Sequence, residues 1–442
     1  MGFRGEPFAF DSPAAAVAGM IAQIACPAAG RAVEVVDLVD AAGLILAEVV
    51  GADRDNPAFD YSSMDGYAVC VSSLSAKPPA SGEDGITVPV VGESRIGCAP
   101  PVLHSSLPGP AAVRIATGAP IPLGADAVLR REDVHEHTAA TPGQVGSIRI
   151  SLHAAARVKP GDYIRRRGEN ARAGTPVLHA GEVLTASSLG ALAAVGVAHP
   201  RVYRRLRIAV LTTGDELVAP GESPAPYQIR DSNGPSVRAM LASQAWASVV
   251  AVTHVADDAR LEHLLKRACE DADAVILTGG ISVGHRDPVR AAAELVGGRI
   301  IFHGLPQRPG KPMMGAVVER AGAPNFAPIP IFGLPGNPVS ALVTCTRIVL
   351  PVLAACAGAR KTPISSLPRM LELTNPDDRT LELWWHRLAR LILGADGLPR
   401  AELVDGRGSG DIIAAATSDG FIEVPPGASG RTFSFYSWPA GN

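Results

Sequence analysis

Short apolar runs alternate with helical patterns between residues 205 and 357, and this alternation limits the possible folds more than any other feature of the chain. Leu206–Leu211 and Asp273–Leu277 predict strands. The segment Ala259–Glu270, whose apolar residues share one face, predicts a helix between strands. Strands that alternate with helices at this spacing form parallel sheets with helices on both faces. We therefore predict a doubly wound α/β domain, completed by a long apolar helix that begins at Pro338.

The rest of the chain divides into three further regions, because 442 residues exceed one ordinary hydrophobic core. Residues 11–50 predict two helices, one from Pro13 and one over Val36–Val50. Residues 52–170 predict short strands between proline and glycine turns, and 174–197 return the chain to the first region. The C-terminal strands predict a small β-barrel or sandwich. The expected domains are an α+β linker and dimerisation domain (1–50 and 171–204), an inserted β-rich domain (51–170), the α/β domain (205–357) and a C-terminal β-barrel (358–442).

Charge and apolar content exclude several classes of protein. The net charge of −3 is nearly balanced, so no broad nucleic-acid-binding surface is expected, and Arg165–Arg167 is interpreted as a local anion contact or a solvated edge. Apolar stretches are shorter than the roughly 20 residues that cross a membrane, and the N-terminus lacks a signal-peptide pattern. Six scattered cysteines without a Cys-x-x-Cys pair are typical of buried residues in a reducing compartment. We therefore expect a cytoplasmic protein without nucleic-acid or membrane partners.

Unusual residues are concentrated in the loops that follow the predicted strands, where open α/β sheets bind their ligands. These loops combine carboxylates with glycine-rich turns. Because Mg²⁺ is commonly held by a few carboxylates and substrate phosphate oxygens, the combination predicts a magnesium and phosphate site. The loops are Thr212–Glu216, Asp257–Asp258, Thr278–Asp287, Arg308–Pro312 and Gly333–Ser340.

The same loop residues also have a plain structural interpretation. Gly279–Gly280 taken alone is a permissive turn. Side chains directly before a helix are commonly N-caps, and this is the alternative for Asp257 or Asp258, Asp287 and Asn337. The convergence of several such loops at one sheet edge favours a ligand site.

Other nucleotide-binding and catalytic motifs are excluded. Gly304–Lys311 has one residue too many between its glycines for a P-loop, and Pro312 stands where a Mg²⁺-binding hydroxyl is required. No Gly-x-Gly-x-x-Gly follows a strand, so no dinucleotide-binding domain is expected. No Ser-His-Asp or Cys-His arrangement indicates a covalent nucleophile. His135 and His137 lie in a predicted polar loop without a third ligand, so no metal site is expected there.

Eight different short segments occur along the chain in a fixed order. Any one of them is weak alone, but together, in this order, they extend from Phe59 to Gly410 and are specific. The segments are Phe59–Val69, Arg114–Pro122 with Gly124–Val128, Ile164–Glu169, Thr213–Leu217, Thr278–Gly284, Pro309–Pro312, Gly333–Ser340 and Gly408–Gly410. This set resembles the molybdopterin molybdenumtransferase family, which includes the E domain of gephyrin.

The resemblance implies an elongated homodimer of four-domain chains, in which the α/β molybdopterin-binding domain of one subunit shares an active site with the inserted domain of the other. It implies insertion of molybdate into adenylated molybdopterin, with Mg²⁺, and release of AMP. The implied catalytic and metal-binding residues are Asp215, Glu216, Asp257 and Asp287, with Glu169 as a further catalytic residue. Pterin or phosphate is implied to bind at Thr213, Gly214, Gly279, Gly280, Ser282, Pro335, Gly336 and Asn337, and at Asp60, Met64, Asp65 and Thr117. The implied molybdate pocket consists of Arg308, Lys311, Pro312, Ser340 and Ser409.

The residues agree with this chemistry, with three departures from the family pattern. Molybdate is a tetrahedral dianion that needs cations and hydrogen-bond donors, which Arg308 and Lys311 supply. Asn170 stands where the family usually has Asp, and Arg308 stands where Lys is common. The neighbours of Asp287 in the family are usually acidic or aromatic, whereas here they are His285, Arg286 and Pro288.

Two alternatives stay open from the sequence. Asn170 is compatible with a catalytically weak molybdopterin-binding paralogue that acts as a carrier or scaffold. The preceding enzyme, molybdopterin adenylyltransferase, resembles residues 205–357, but the inserted domain and the C-terminal strands disfavour it. That enzyme is instead expected as a candidate partner for substrate delivery.

Overall fold

The computed structural model describes residues 7–24, 31–75, 84–103, 109–138, 145–255, 258–281, 287–320, 327–361 and 367–439. The chain forms two compact units. Residues 50–177 make up one, here called the inserted unit. Residues 1–49 and 178–442 make up the other, here called the main unit.

The main unit begins with helix α1 (Pro13–Ile24), as predicted from Pro13. Ala16, Met20 and Ile24 are spaced four residues apart and are therefore on one face of the helix. All three are buried in the same core as the α/β sheet, so the N-terminal helix packs against that sheet.

The helix predicted over Val36–Val50 is wrong. Strand β1 (Val33–Val35) precedes this segment, and its only described helical turn is the 3₁₀ turn Leu38–Asp40. Leu44–Leu46 are all buried. Three consecutive buried side chains need burial on both sides of an extended chain, whereas an amphipathic helix buries only one stripe.

The inserted unit is built from short strands, as the proline and glycine turns predict. A six-stranded sheet has the order β7-β4-β6-β5-β9-β8, while β10 pairs with β3 and β11 with β2. The strands are β2 (Val50–Gly51), β3 (Tyr61–Ser62), β4 (Gly66–Val69), β5 (Gly85–Ser94), β6 (Ala112–Ile115), β7 (Ala127–Arg130), β8 (Val134–Thr138), β9 (Val145–Ser151), β10 (Ile164–Arg165) and β11 (Pro176–Leu178), with helices α2 (Val71–Ser75) and α3 (Leu152–Arg157). His135 and His137 lie in β8, so the predicted polar loop is wrong there.

The central domain of the main unit is a six-stranded sheet with the order β16-β13-β17-β21-β20-β18. Helix α4 (Ala186–Ala194) and strand β12 (Arg201–Tyr203) precede it. Its elements are β13 (Leu206–Thr213), β14 (Leu217–Val218), β15 (Ile229–Arg230), α5 (Asn233–Ala242), β16 (Ala247–Val255), α6 (Asp258–Asp271), β17 (Ala274–Thr278), α7 (Pro288–Leu295), β18 (Arg299–His303), β19 (Gln307–Arg308), β20 (Met314–Val318) and β21 (Ile329–Leu334).

Helices cover both faces of this sheet, as predicted. Along β13, Ile208 and Val210 join the core that contains α1, whereas Ala209 and Leu211 join the core that contains Leu261 of α6. Strands buried on both faces consist of continuous apolar runs, which explains why the sequence pattern identified them.

The prediction of an entirely parallel sheet is wrong for one strand. The first four strands in the sheet order are parallel, but β20 is antiparallel to both β21 and β18. The connection from Val318 to Ile329 is too short for a crossover with a helix, and a short connection joins antiparallel neighbours.

A long apolar helix completes the α/β domain, as predicted from Pro338. It consists of α8 (Pro338–Thr344), a π-helical turn over Cys345–Val349 and α9 (Leu350–Ala357). Pro351 has no amide hydrogen, and the wider π turn accommodates the missing bond. The helix is long and apolar enough to cross a membrane by length and composition, but 78% of its apolar 18-residue stretch is buried inside the protein, where it acts as a core helix.

The C-terminal strands β22 (Arg369–Glu372), β23 (Trp384–Leu393), β24 (Pro399–Leu403), β25 (Gly420–Val424) and β26 (Thr432–Ser437) form a second sheet with β19, and α10 (Ile412–Ala416) lies between β24 and β25 in sequence. The order is β19-β23-β25-β26-β22, and β24 pairs with β23. A single bridge between Leu373 and Ala401 joins the residue after β22 to β24.

The described cysteines are free thiols. Cys269 and Cys345 are buried, as predicted, and burial raises the pKa of the Cys345 thiol to about 12, so it stays protonated. Cys98 is exposed, so the prediction of a buried residue is wrong there, since it lies in the turn after β5. Cys26 lies outside the described residues.

Candidate functional site

Three glycine-rich loops meet at the carboxyl end of the α/β sheet. They follow β13, β17 and β21, which are parallel neighbours. A Cβ atom on Gly279 would lie 2.3 Å from the carbonyl oxygen of Thr213, and one on Gly336 would lie 3.6 Å from the Cα of Gly279. The structure therefore brings together seven predicted pterin or phosphate residues: Thr213, Gly214, Gly279, Gly280, Pro335, Gly336 and Asn337.

Asn233, at the start of α5, belongs to the same edge and was missed from the sequence. Its side-chain Nδ2 donates to the carbonyl of Gly336 at 2.8 Å. Asn233 is 8% exposed, and its Oδ1 has no hydrogen-bond partner among the described residues. The polar run Asp231–Asn233, which leads into the helix, was the available signal. Asn233 thus adds a buried hydrogen-bond acceptor to the loop cluster.

The carboxylates predicted to bind Mg²⁺ are in different environments. Asp215 and Glu216 are exposed directly after β13. A Cβ atom on Gly214 would lie 2.7 Å from Oε2 of Glu216, so the Glu216 side chain folds back over the loop. The predicted residues Asp257 and Ser282 lie outside the described residues, as do His285 and Arg286. Within the described part of the chain, no group of three or more His, Cys, Asp or Glu side chains could hold a metal ion.

Asp287 is the N-cap of α7, which confirms its structural interpretation. Its Oδ1 accepts from the Arg290 amide at 2.9 Å, and its Oδ2 lies 2.9 Å from Nε2 of His303. The side chains of Asp287 and His303 are each 10% exposed. Both carboxylate oxygens therefore have protein partners here, and a metal-binding role for Asp287 stays a prediction.

Asn337 takes the N-cap position of α8, but its side chain makes no capping hydrogen bond. The N-cap interpretation is therefore correct for the position of Asn337 in the helix, but wrong for its side chain, which does not cap the helix. The amide of Val339, in the first turn of α8, instead donates to the carbonyl of Ser409 at 3.0 Å. A backbone group of the C-terminal domain thus satisfies a donor at the start of this helix.

A cleft of about 810 Å³ lies beside these loops, between the α/β domain and the C-terminal sheet. All five predicted molybdate residues line it: Arg308, Lys311, Pro312, Ser340 and Ser409. Pro335 and Asn337 line the same cleft, which joins it to the glycine-rich edge. The structure therefore brings the two predicted halves of the site together within the main unit.

The segment that carries Arg308 and Lys311 is fixed by the C-terminal sheet, and the predicted loop is wrong for Arg308, which is the last residue of β19. Arg308 pairs with Trp385 in the register between β19 and β23. Gln307 is buried, and its Nε2 donates to the carbonyl of Gly310 at 3.0 Å. These contacts hold both cations at the cleft wall.

Three further cations of the cleft were missed from the sequence: Arg379, Arg387 and Arg407. Trp385 and Arg387 are two residues apart on β23 and therefore on one face of the strand. The alternation of Trp and Arg was the available signal, but nothing in one sequence places this strand beside Lys311. Asp405 is the acidic side chain among the lining residues, so the lining carries an excess of positive charge.

The site residues predicted in the inserted unit lie in loops tied together by hydrogen bonds. Asp65 accepts from the Thr117 amide at 2.7 Å and hydroxyl at 2.9 Å, and these bonds lower the pKa of Asp65. Ser62 links the segments, since its amide donates to Ala119 and its hydroxyl donates to the carbonyl of Met64. The Gly118 amide donates to the carbonyl of Ser62, which completes a compact surface.

The basic run of the inserted unit is neutralised by nearby acids. Arg165 pairs with Glu169, Arg166 with Asp60 at 2.8 Å and Arg167 with Asp55 at 2.7 Å. These pairs agree with a local, solvated edge and leave no free basic patch in the run. They also show that the predicted residues Asp60 and Glu169 have internal partners.

Asn170, the departure from the family pattern, closes the same loop. Its Nδ2 donates to Oδ1 of Asn56 at 3.0 Å. The amide of Asn170 donates to the backbone carbonyl of Asn56 at 2.9 Å. Asn170 therefore holds two loop segments together, and its Oδ1 also accepts from Nη2 of Arg165 at 3.4 Å.

A doubly wound sheet with glycine-rich loops beside a cationic cleft is an arrangement with which α/β proteins bind phosphate-like or oxyanionic groups. Residues 12–196 match the family described as MoeA N-terminal region (domain I and II), and residues 209–355 match the family described as probable molybdopterin binding domain. With the relatives below, these matches show that the chain belongs to the molybdopterin molybdenumtransferase family.

Similar proteins extend over most of the chain. The molybdopterin molybdenumtransferase of Haemophilus influenzae is 37% identical over 74% of each chain. The molybdopterin molybdenumtransferase of a Nostoc species is 33% identical over 89% of this chain and 85% of its own. A solved structure of the molybdopterin biosynthesis MoeA protein from Pyrococcus horikosii has a TM-score of 0.69 and 26% identity, and the match covers 96% of this chain and 98% of that one.

Proposed function

We propose that this chain is a molybdopterin molybdenumtransferase, which inserts molybdate into adenylated molybdopterin and releases AMP. The cleft lined by Arg308, Lys311, Ser340 and Ser409 carries the proposal. A tetrahedral dianion is bound by cations together with hydroxyl and amide donors, and the cleft supplies both. In the adjoining loops, the backbones at Thr213 and Gly279 lie close together and have little side-chain bulk, so a pterin or phosphate group can approach them closely.

The proposed division of labour follows from these positions. Arg308 and Lys311 bind and orient molybdate, while the glycine-rich loops hold the adenylated pterin with its anhydride towards the cleft. Asp215 and Glu216 fit Mg²⁺, since this ion prefers one or two carboxylates together with substrate phosphate oxygens. We include Asp257 and Asp287 in the proposed set. When bound, Mg²⁺ neutralises charge on the anhydride as it breaks.

The inserted unit completes the proposed site. We propose a homodimer in which Asp60, Met64, Asp65, Thr117 and Glu169 of one chain face the α/β domain of the other. The four-domain division with a C-terminal β-barrel, cytoplasmic location and delivery of substrate by a molybdopterin adenylyltransferase belong to the same proposal. Relatives named molybdopterin molybdenumtransferase support the enzyme assignment on which these further proposals depend.

The test is AMP release from adenylated molybdopterin by the purified protein, with and without Mg²⁺ and molybdate. Release that requires both supports the proposal. Arg308→Ala is expected to lower release about a hundredfold at limiting molybdate, because a charged partner of the dianion is removed. Arg390→Ala is the matched control, since Arg390 pairs with exposed Glu402 on the same sheet and is not among the cleft-lining residues.

Other outcomes identify the alternatives. Tight binding of adenylated molybdopterin without AMP release would favour the carrier or scaffold. Asn170→Asp would then test whether the missing carboxylate accounts for the loss. Consumption of ATP with free molybdopterin would instead identify an adenylyltransferase.

A further inference from the structure

Two arginines of the cleft share one carboxylate, that of Asp377. Arg387 donates to Oδ1 of Asp377 from Nη1 at 2.8 Å and to Oδ2 from Nη2 at 2.6 Å. Arg379 donates to Oδ2 from Nε at 2.8 Å and from Nη2 at 2.6 Å. Bidentate pairs of this kind fix the plane of a guanidinium group.

Trp385 provides the surface on which both guanidinium groups lie. The Cζ atom of Arg387 is 4.4 Å from the centre of the ring, and that of Arg379 is 5.7 Å from it. Guanidinium groups stack favourably on indole faces. The side chain of Arg387 is 11% exposed and that of Arg379 is 63% exposed, so one cation is buried at the wall while the other borders solvent.

Asp377 stays ionised in this arrangement. The hydrogen bonds from Arg387 hold the pKa of Asp377 well below its usual range, against the opposing effect of burial, and Arg379 adds to the same direction. Both guanidinium groups keep donors for a ligand, because the bonds to Asp377 use Nη1 and Nη2 of Arg387 and Nε and Nη2 of Arg379, which leaves Nε of Arg387 and Nη1 of Arg379. The carboxylate therefore orients the two cations without using all their donors.

We propose that Asp377 is a positioning residue for the oxyanion: it fixes Arg387 and Arg379 against Trp385 so that their remaining donors face the cleft. This inference rests on the proposed function, because it assigns the cleft an oxyanion such as molybdate. Asp377 need not contact the anion, and it acts through the two arginines.

A carboxylate near an anion site has two opposing effects on binding. It orients the cations, which strengthens binding, and its negative charge repels the dianion, which weakens binding. Two substitutions separate these effects. Asp377→Glu keeps the charge and moves the carboxylate by one methylene, whereas Asp377→Asn removes the charge with little change in shape.

The experiment is calorimetric titration of the intact protein with sodium molybdate. We expect Asp377→Glu and Asp377→Asn each to weaken binding about tenfold, because Glu displaces the carboxylate and Asn replaces one of its two acceptor oxygens by a donor, so neither variant holds both arginines in place. Glu402→Gln, which removes an exposed pair on the same sheet, is expected to bind as the wild type does. The affinity for adenylated molybdopterin is expected to stay unchanged in all variants, which a general loss of structure would not allow.

The results separate failure of this inference from failure of the proposed function. Wild-type affinity in Asp377→Glu, or tighter binding in Asp377→Asn, would overturn the positioning role alone and leave Asp377 as a simple source of repulsion. Absence of molybdate binding by the wild-type protein would overturn both the proposed function and the role of Asp377.

Discussion

Glu423 is the centre of a buried polar cluster that joins the long helix of the α/β domain to the C-terminal sheet. Arg347, on the π turn, donates to its carboxylate at 2.6 and 3.2 Å, and Nε2 of His386 lies 3.1 Å away. Burial alone would raise the pKa of Glu423, but the hydrogen bonds from His386 and Arg347 outweigh it and lower the pKa to about 2. Tyr436 completes the cluster, since Arg347 lies 5.0 Å from the centre of its ring.

Replacing Glu423 by Gln is expected to destabilise the protein by about 3–5 kcal/mol, because Arg347 would remain buried without a counter-charge. The free energy of unfolding from urea titration measures the effect. Glu402→Gln removes an exposed ion pair with Arg390 and is expected to cost less than about 1 kcal/mol. Equal losses in the two variants would contradict this account of the cluster.

Glu423 also makes the stability of the protein depend on pH in the acid range. The pKa of Glu423 is about 2 in the folded protein against an ordinary value of 4.5, so its contribution is complete above pH 4.5 and is lost as the pH falls towards 2. Burial also lowers the pKa of His386, so the folded state disfavours its protonation, and this too lowers the stability as the pH falls. The urea midpoint of the wild type is therefore expected to fall more steeply below pH 4.5 than that of Glu423→Gln. Parallel profiles would contradict the assignment.

At the scale of whole elements, the sequence predicts best where a pattern has one physical cause. Strands β13 and β17 were predicted because burial on both faces requires continuous apolar runs. The direction of β20 was not predicted, because a strand's apolar pattern is the same in either orientation. Leu44–Leu46 misled the helix prediction, since burial on two sides of an extended chain resembles a helical pattern in a short window.

In the candidate site, too, some residues were identifiable from local sequence patterns and others were not. Arg308 and Lys311 were identifiable because they directly precede a strand of the α/β sheet in the sequence, β20. Arg379 and Arg387 were not, since they enter the cleft through the pairing of β19 with β23, a contact between segments distant in sequence. Local sequence patterns are enough to predict a loop. The position of cations on a second sheet depends on how that sheet pairs with the first domain, which a local pattern does not contain.

The glycine-rich loop after β17 provides a prediction at this scale. Gly279→Ala is expected to destabilise the protein by about 1–3 kcal/mol more than Gly297→Ala. Both positions have positive φ, +88° and +84°, so the backbone strain is matched. Only at Gly279 does a Cβ meet an atom, the Thr213 carbonyl oxygen at 2.3 Å, whereas Gly297 has nothing within 4 Å.

Thermal unfolding of both variants measures the difference. The affinity for adenylated molybdopterin is expected to fall in Gly279→Ala and to stay near the wild-type value in Gly297→Ala. Equal stability losses would mean that the loops at Thr213 and Gly279 can move apart without cost. Their close approach would then not contribute to stability.

At the scale of the whole molecule, the inserted unit and the main unit each have their own hydrophobic cores. The core of Tyr67, Val88 and Ile148 belongs to residues 50–177, and that of Ile208, Ile276 and Phe332 belongs to the main unit. The proposed function divides the active site between the same two units, with Asp65 in one and Lys311 in the other. A substitution in either unit can therefore damage its own part of the site without removing the core of the other unit.

This division allows a complementation test of the proposed shared site. Asp65→Ala removes the acceptor of the Thr117 hydrogen bonds in the inserted unit, and Lys311→Ala removes a cation of the cleft. Each variant alone is expected to be inactive in AMP release. If the site forms between subunits, a dimer of one chain of each kind has one intact site and one site with both defects. Random pairing on co-expression then gives intact sites at about a quarter of the wild-type number.

The opposite outcome has an equally definite meaning. If the inserted unit completes the site of its own chain, every site in the mixture carries one defect and no activity returns. Co-expression of wild-type chains with the Asp65→Ala, Lys311→Ala double variant is the matched control, because random pairing then gives one quarter intact sites if each site is shared and one half if each is formed within one chain. Recovery in the first mixture together with one quarter in the control would therefore establish that two chains build each active site.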